Sequence, residues 1–316
     1  MNDRTFRLAA WPHVVVIACV LLFAGCQDGS GPGLVTSPEG KPAFEGAKPP
    51  PPPPPPADPA IAFVAQRGGR NLYDLKVMNV DGSNVTTIYT ASTVLFGLPS
   101  WSPDGHSIAF VKSNDLWLID VSVSNGVPTG TNARVLLDRS TSVSHPDWSA
   151  DGTRIAFVDV SIGTLEVIPS IGGATEVLYT SSPGVWPSHP AWSRDGTQIA
   201  FTEGGAIRIL DRVTGQAGTA LEAVGAQFLD WARTQDALTF EAGPGGVQGV
   251  YILQLAVGTP TLVVAGGYSP TWSPDDQEIL FSSSGLSKVN LASGQITSLG
   301  VSGRPMWPDW RIDATP

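Results

Sequence analysis

The chain has 316 residues, with 18 Lys+Arg against 28 Asp+Glu for a net charge of −10, 42% hydrophobic and 15% charged residues, 35 Gly and 28 Pro. That is too apolar for a disordered chain and too rich in turn formers for a helical bundle. The acidic balance argues against nucleic-acid binding, which needs a Lys/Arg footprint on phosphate, and two cysteines cannot staple a scaffold.

The first elements in chain order are an address and a spacer. Arg4 and Arg7 precede an unbroken apolar run over 14–24, too short for a transmembrane helix and right for the core of a secretory signal. The run ends in Phe23-Ala24-Gly25-Cys26, which resembles a bacterial lipobox, although Phe23 stands where Leu is usual. The resemblance implies cleavage before Cys26 and lipidation of its thiol, so that 1–25 is a lipoprotein signal peptide and Cys26 a membrane anchor. Gln27 then favours the outer membrane facing the periplasm, if the cell has two membranes. Residues 26–59 lack hydrophobic periodicity and contain eight consecutive prolines, 49–56. They predict a disordered Pro-rich tether with a polyproline II rod of roughly 25 Å.

From residue 60 to 316 the chain is one repeat. Six tryptophans, Trp101, Trp148, Trp192, Trp231, Trp272 and Trp310, open related segments, and five have a phenylalanine nine residues on: Phe110, Phe157, Phe201, Phe240 and Phe281. Phe63 has no tryptophan before it, and Trp310 has too little chain after it. The unit is clearest as PSWSPDGHSIAFV over 99–111. It predicts a β-hairpin whose turn uses Pro for its preset φ, Asp to bond backbone and Gly for the left-handed region. A third strand follows (116–121, 206–210, 250–255), then a fourth (85–89, 133–137, 261–264). Four antiparallel strands recurring at intervals of 39–47 residues between phenylalanines predict propeller blades. The expected fold is all-β: a six-bladed β-propeller of four-stranded antiparallel blades, closed by the C-terminal strand joining the first blade. Closure removes an open edge.

These repeats resemble the TolB-type propeller repeat, a cousin of the WD repeat, over nearly all of 60–316. Two copies depart from the pattern. The fifth blade keeps Trp231 and Phe240 but has lost the Pro-Asp-Gly turn, and Asp276 replaces glycine in the sixth. The α/β domain that precedes the propeller in that family has no room between Cys26 and Ile61. The resemblance therefore implies the propeller.

No G-x-S-x-G elbow, phosphate loop or zinc spacing is present. Two columns of the repeat are candidate sites. Three residues before the tryptophan, near the channel mouth, stand Trp307, Leu98, His145, His189, Phe228 and Ser269 in blade order. His145 and His189 are either metal ligands, as in pectate-lyase-like propellers, or histidines hydrogen-bonded at a blade edge. One residue before the tryptophan stand Asp309, Ser100, Asp147, Ala191, Asp230 and Thr271. Asp147, Asp230 and Asp309 either hold a divalent cation such as Ca²⁺, or accept backbone N–H bonds within their own blades or face solvent. The expected function is a non-enzymatic, membrane-anchored envelope scaffold, without a required cofactor, acting as a monomer on an envelope protein or a cell-wall glycan. The alternative is a metal-assisted polysaccharide lyase of the oligogalacturonate type, or a degenerate relative of one.

Overall fold

The computed structural model describes residues 59–68, 72–91, 98–301 and 305–311; the signal, Cys26 and the tether through residue 58 lie outside them. The described residues form six four-stranded antiparallel sheets. From the innermost strand outward, blade 1 is Pro305–Trp310, Ile61–Gln66, Tyr73–Met78 and Thr86–Thr90. Blade 2 is Ser100–Trp101, Ser107–Lys112, Asp115–Ser124 and Val127–Leu137; blade 3 is Val143–Trp148, Arg154–Asp159, Thr164–Pro169 and Glu176–Thr180. Blade 4 is Pro187–Trp192, Gln198–Glu203, Ala206–Asp211 and Ala217–Leu221. Blade 5 is Gln227–Trp231, Ala237–Ala242, Gly249–Gln254 and Pro260–Ala265; blade 6 is Tyr268–Trp272, Glu278–Ser282, Leu286–Asn290 and Ile296–Ser298. The ring closes as expected, with Ile61 opposite Trp310 and Ala62 opposite Asp309.

The Trp-Ser-x-Asp-Gly segment turns because its own side chains satisfy the turn. Ser102 Oγ donates to Asp104 (2.6 Å) and accepts the N–H of Ser107 (2.9 Å), while Asp104 accepts the N–H of His106 (2.9 Å). Ser149–Asp151, Ser193–Asp195 and Ser273–Asp275 repeat the arrangement. The second strand of each blade explains the Ile-Ala-Phe pattern. Successive side chains point to opposite faces of a strand, so Ile108 and Phe110 pack toward blade 1 while Ala109 and Val111 pack toward blade 3. Large residues thus face one neighbour and small ones the other. The core is accordingly six wedges, one between each pair of adjacent blades.

The closing seam between blades 6 and 1 buries Ile61, Phe63, Leu280, Leu299 and Trp310 together. Gly82 sits there with φ +84°, where a Cβ would lie 2.2 Å from the carbonyl oxygen of Leu299. Only glycine meets both demands.

Blade 2 differs from the sequence expectation. Its outer strands run 10 and 11 residues around the exposed Asn125-Gly126 turn, an Asn-Gly pair that itself signals a tight hairpin. The long outer edge carries a positive-φ Asn132 (51°), a local break in the extended strand that blunts edge-to-edge pairing.

The two departures in blades 5 and 6 turn out to be one device. Asp276, at φ 55°, accepts the N–H groups of Arg233 (2.7 Å) and Thr234 (2.6 Å) and the Thr234 hydroxyl (2.6 Å). It holds from outside the turn that blade 5 no longer holds from within. Asp276→Gly relieves the left-handed strain but removes three charge-assisted bonds, so a net loss of about 1–3 kcal/mol is expected. Asp276→Asn should lose less, and chemical denaturation of both variants checks the order.

Candidate functional site

Two rings of side chains line the central channel. The first is built by a repeated bulge. The pairing register of the innermost strand slips just before its end in blades 1, 3, 4, 5 and 6. The residue three before the tryptophan there adopts a left-handed conformation, with φ 54° at Trp307, 53° at His145, 49° at His189, 52° at Phe228 and 50° at Ser269. Bulky residues enter this region only under constraint, and the constraint here brings side chains of adjacent blades together. The rings of His145 and His189 lie 4.0 Å apart and those of His189 and Phe228 4.5 Å apart, tilted by 48° and 59°.

Burial makes both imidazoles weak bases. His145 is pushed down to about 4, and His189 falls well below the usual range through burial and then the neighbouring His145. Ser144 Oγ contacts His145 Nδ1 at 2.9 Å, while the buried Nδ1 of His189 has no partner among the described residues. A neutral pair of this kind abstracts protons poorly near pH 7.

The second ring contains the aspartates one residue before the tryptophans. Each reaches the following blade. Asp309 accepts the N–H of Trp101 (2.7 Å), Asp147 that of Trp192 (2.7 Å) and Asp230 that of Trp272 (2.6 Å). Their placement on blades 1, 3 and 5 therefore ties the ring at three seams, and Ser100 makes a longer bond of 3.4 Å to the N–H of Trp148 at a fourth. Burial, with the charge of Asp230, pushes Asp147 up to about 7 despite the Trp192 N–H, and raises Asp309 well above the carboxylate range despite the Trp101 N–H.

A positive charge from the chain itself faces these carboxylates. Arg233 Nη2 lies 3.1 Å from Asp230, and its Nη1 donates to the carbonyl of Trp231 (2.6 Å). Burial opposes its charge, and Asp230, Asp147, Asp309 and Asp276 together more than restore it. Arg194 donates to the carbonyl of Arg233 (2.6 Å). The sequence reading did not single out these arginines, although both stand two residues after a repeat tryptophan, in adjacent blades. The five candidate metal residues thus fall into two separate sets. Among the described residues, no three or more His, Cys, Asp and Glu side chains group closely enough to hold a metal ion.

The aspartate ring opens into a cavity of about 820 Å³ that runs from the channel mouth along the seam of blades 2 and 3. Asp147, Asp309 and Arg233 stand at its inner end, Arg134 and Ser107 farther out, and Trp101, Trp148, Trp192 and Trp310 line it.

Comparison with known proteins places this architecture. A family model described as the TolB beta propeller domain matches residues 58–284. The Tol-Pal system protein TolB of Alcanivorax borkumensis is 33% identical over 91 residues, covering 28% of this chain and 20% of that protein. The chain thus matches only about a fifth of the length of that curated relative. The crystal structure of TolB from Acinetobacter baumannii superposes with a TM-score of 0.64 at 19% identity, over 80% of this chain and 66% of that one. A chain of the crystal structure of a nidogen/laminin complex superposes with a TM-score of 0.60 at 11% identity, over 76% of this chain and 92% of that one. These two likenesses are of fold alone.

Proposed function

This chain belongs to the TolB beta propeller domain family, and from that premise we propose that it is a non-enzymatic binding platform of the bacterial cell envelope. The observation that carries the reading is the cavity at the channel mouth, walled by tryptophans and framed by the turns of blades 2 and 3. Rigid turns around a concave, aromatic-lined opening suit recognition of a protein segment. The weakly basic His145 and His189 supply little for acid–base catalysis. In this reading residues 1–25 direct export, Cys26 carries the lipid, and 26–59 hold a monomeric propeller off an outer membrane facing the periplasm.

Photo-crosslinking in intact cells tests it. A crosslinker at Ala150 or Ser107, on the cavity rim, is expected to trap one envelope protein, whereas one at Val213, exposed on the outer part of blade 4, is not. Equal labelling from both positions, or none, would overturn the platform. Polygalacturonate cleavage by the full chain, lost on chelation, would overturn the non-enzymatic part. Radiolabelled palmitate should enter the chain and be lost in Cys26→Ser; unchanged incorporation refutes the anchor.

A further inference from the structure

We propose that the face carrying the Trp-Ser-x-Asp-Gly turns docks on a lipid bilayer through aliphatic side chains at the tips of its outer turns. The idea rests on the export and lipid anchor proposed above and adds what the anchored propeller does at the membrane.

The blades are antiparallel, so the turn joining the third and fourth strands lies at the same end as the Trp-Ser-x-Asp-Gly turn. In blades 1 to 5 this outer turn exposes an aliphatic side chain: Val80, Val127, Ile171, Val213 and Val257. Each stands two or three residues past the end of its blade's third strand. Turns ordinarily take glycine and small polar residues at such places. Ile171, Val213 and Val257 are 96%, 86% and 70% exposed, the highest values for large hydrophobic residues among the described residues, and they fall on three consecutive blades. None of the five packs in a wedge, so folding does not account for them. One exposed aliphatic is ordinary; recurrence at one position of the blade is a pattern.

Two observations favour a bilayer over a protein as the occupant. The tips stand on separate blades with open space beside them, since a Cβ on Gly173, Gly215 or Gly258 would meet nothing within 4 Å. A protein interface needs a contiguous apolar core, whereas a bilayer receives separate apolar tips on one face. The chain also enters the propeller on that face. Ala60 donates its N–H to the Met78 carbonyl (3.0 Å) and accepts the N–H of Arg311 (2.7 Å), so the segment from Cys26 joins the domain beside the turn that carries Val80. Residues 26–59 span at most about 110 Å at full extension, which confines the tips near the membrane and makes docking an intramolecular step. The attraction is apolar rather than electrostatic. Asp81, Asp104, Asp151, Asp195, Asp211 and Asp275 lie in turns of this face, while Arg194 and Arg212 donate to backbone carbonyls. The cavity opens on the same face, so docking and partner binding exclude one another, and the tether lets the propeller alternate.

Quenching by brominated lipid tests this. A bimane probe is attached at Ile171→Cys, Val213→Cys or Val257→Cys of the full lipidated chain, reconstituted in phosphatidylcholine vesicles. Each probe should be quenched severalfold more than one at Ile162→Cys, on the turn at the opposite end of blade 3. That control is a demanding one, because Ile162 and Trp186 are themselves 55% and 53% exposed. Replacing part of the lipid with phosphatidylglycerol should reduce the quenching at the tips, and salt should restore it. The triple variant Ile171→Ser, Val213→Ser and Val257→Ser alters only exposed turns. In it a probe at Ala292→Cys, on the outer turn of blade 6, should lose most of its quenching. Equal quenching at 162 and 213, none at the three tips, or stronger docking on phosphatidylglycerol that salt abolishes would overturn the proposal. Palmitate incorporation without quenching sinks docking and leaves the anchor standing; quenching without palmitate supports docking and sinks the anchor.

Discussion

Replacing Arg139 with methionine is expected to lower stability by about 3–5 kcal/mol. Arg139 follows the outer strand of blade 2 and reaches across to two strands of blade 3. Its guanidinium meets both oxygens of Glu166 at 2.9 and 2.7 Å, Asp159 at 3.1 Å and the Thr175 hydroxyl at 2.7 Å. Asp159 is 0% and Glu166 1% exposed as side chains, against 22% for Arg139. Burial alone would push Glu166 up; Arg139, Thr164 and Thr175 together hold it below the usual range. Without the arginine, two buried carboxylates are left with no cation to offset their charge. The melting temperature should fall by roughly 6–20 °C for a domain of this size. The triple change Arg139→Met, Asp159→Asn and Glu166→Gln should recover much of the loss, because the cost lies in unpaired charge rather than in shape. Thermal melts of the two proteins decide it. A triple variant no more stable than the single one would show that packing, not charge, is at stake.

The channel predicts opposing pH dependences that become visible only when separated. His145 and His189 have folded values below their unfolded one, so the unfolded chain binds more protons. Their contribution is complete above about pH 6.5 and is lost as the pH falls through the folded values, about 4 for His145 and well below the usual range for His189. Asp147 and Asp309 have raised values, so the folded state holds the extra protons. Their contribution is complete below the unfolded value near 4 and is lost as the pH rises through the folded values, about 7 for Asp147 and well above the usual carboxylate range for Asp309. Glu241, raised by burial, acts in the same direction as the aspartates. Each fully shifted group is worth about 1.4 kcal/mol per pH unit, and two histidines stand against two principal aspartates. Wild-type stability should therefore change little between pH 4 and 6.5. His145→Asn with His189→Asn should expose a stability that falls as pH rises, and Asn also tolerates the left-handed backbone there. Asp147→Asn with Asp309→Asn should expose the reverse. Urea titrations at unit pH steps measure the slopes, and three parallel profiles would refute the account.

The propeller was legible because each blade is stabilised first by neighbours in sequence. Ser102, Asp104 and Gly105 build a turn from adjacent residues, and the alternation in Ile108-Ala109-Phe110-Val111 already encodes which side chains face which wedge. The unmatched Phe63 and Trp310 likewise announced the closure. The columns containing His145, His189, Asp147, Asp230 and Asp309 could also be read, since a repeat places equivalent positions at equivalent heights on the channel.

What those columns do was decided by contacts between blades. Asp309 and Trp101 are 208 positions apart, and no local pattern specifies that a carboxylate will meet the next blade's N–H. The bulge that draws His145, His189 and Phe228 together is a property of pairing register. Arg233 reaches the aspartates because Asp276, 43 positions away, holds its turn. Spacing along the chain determined the blades and their number. Only closure of the ring brought distant side chains within bonding range, and so set which carboxylates are paired, which are buried and which face the cavity.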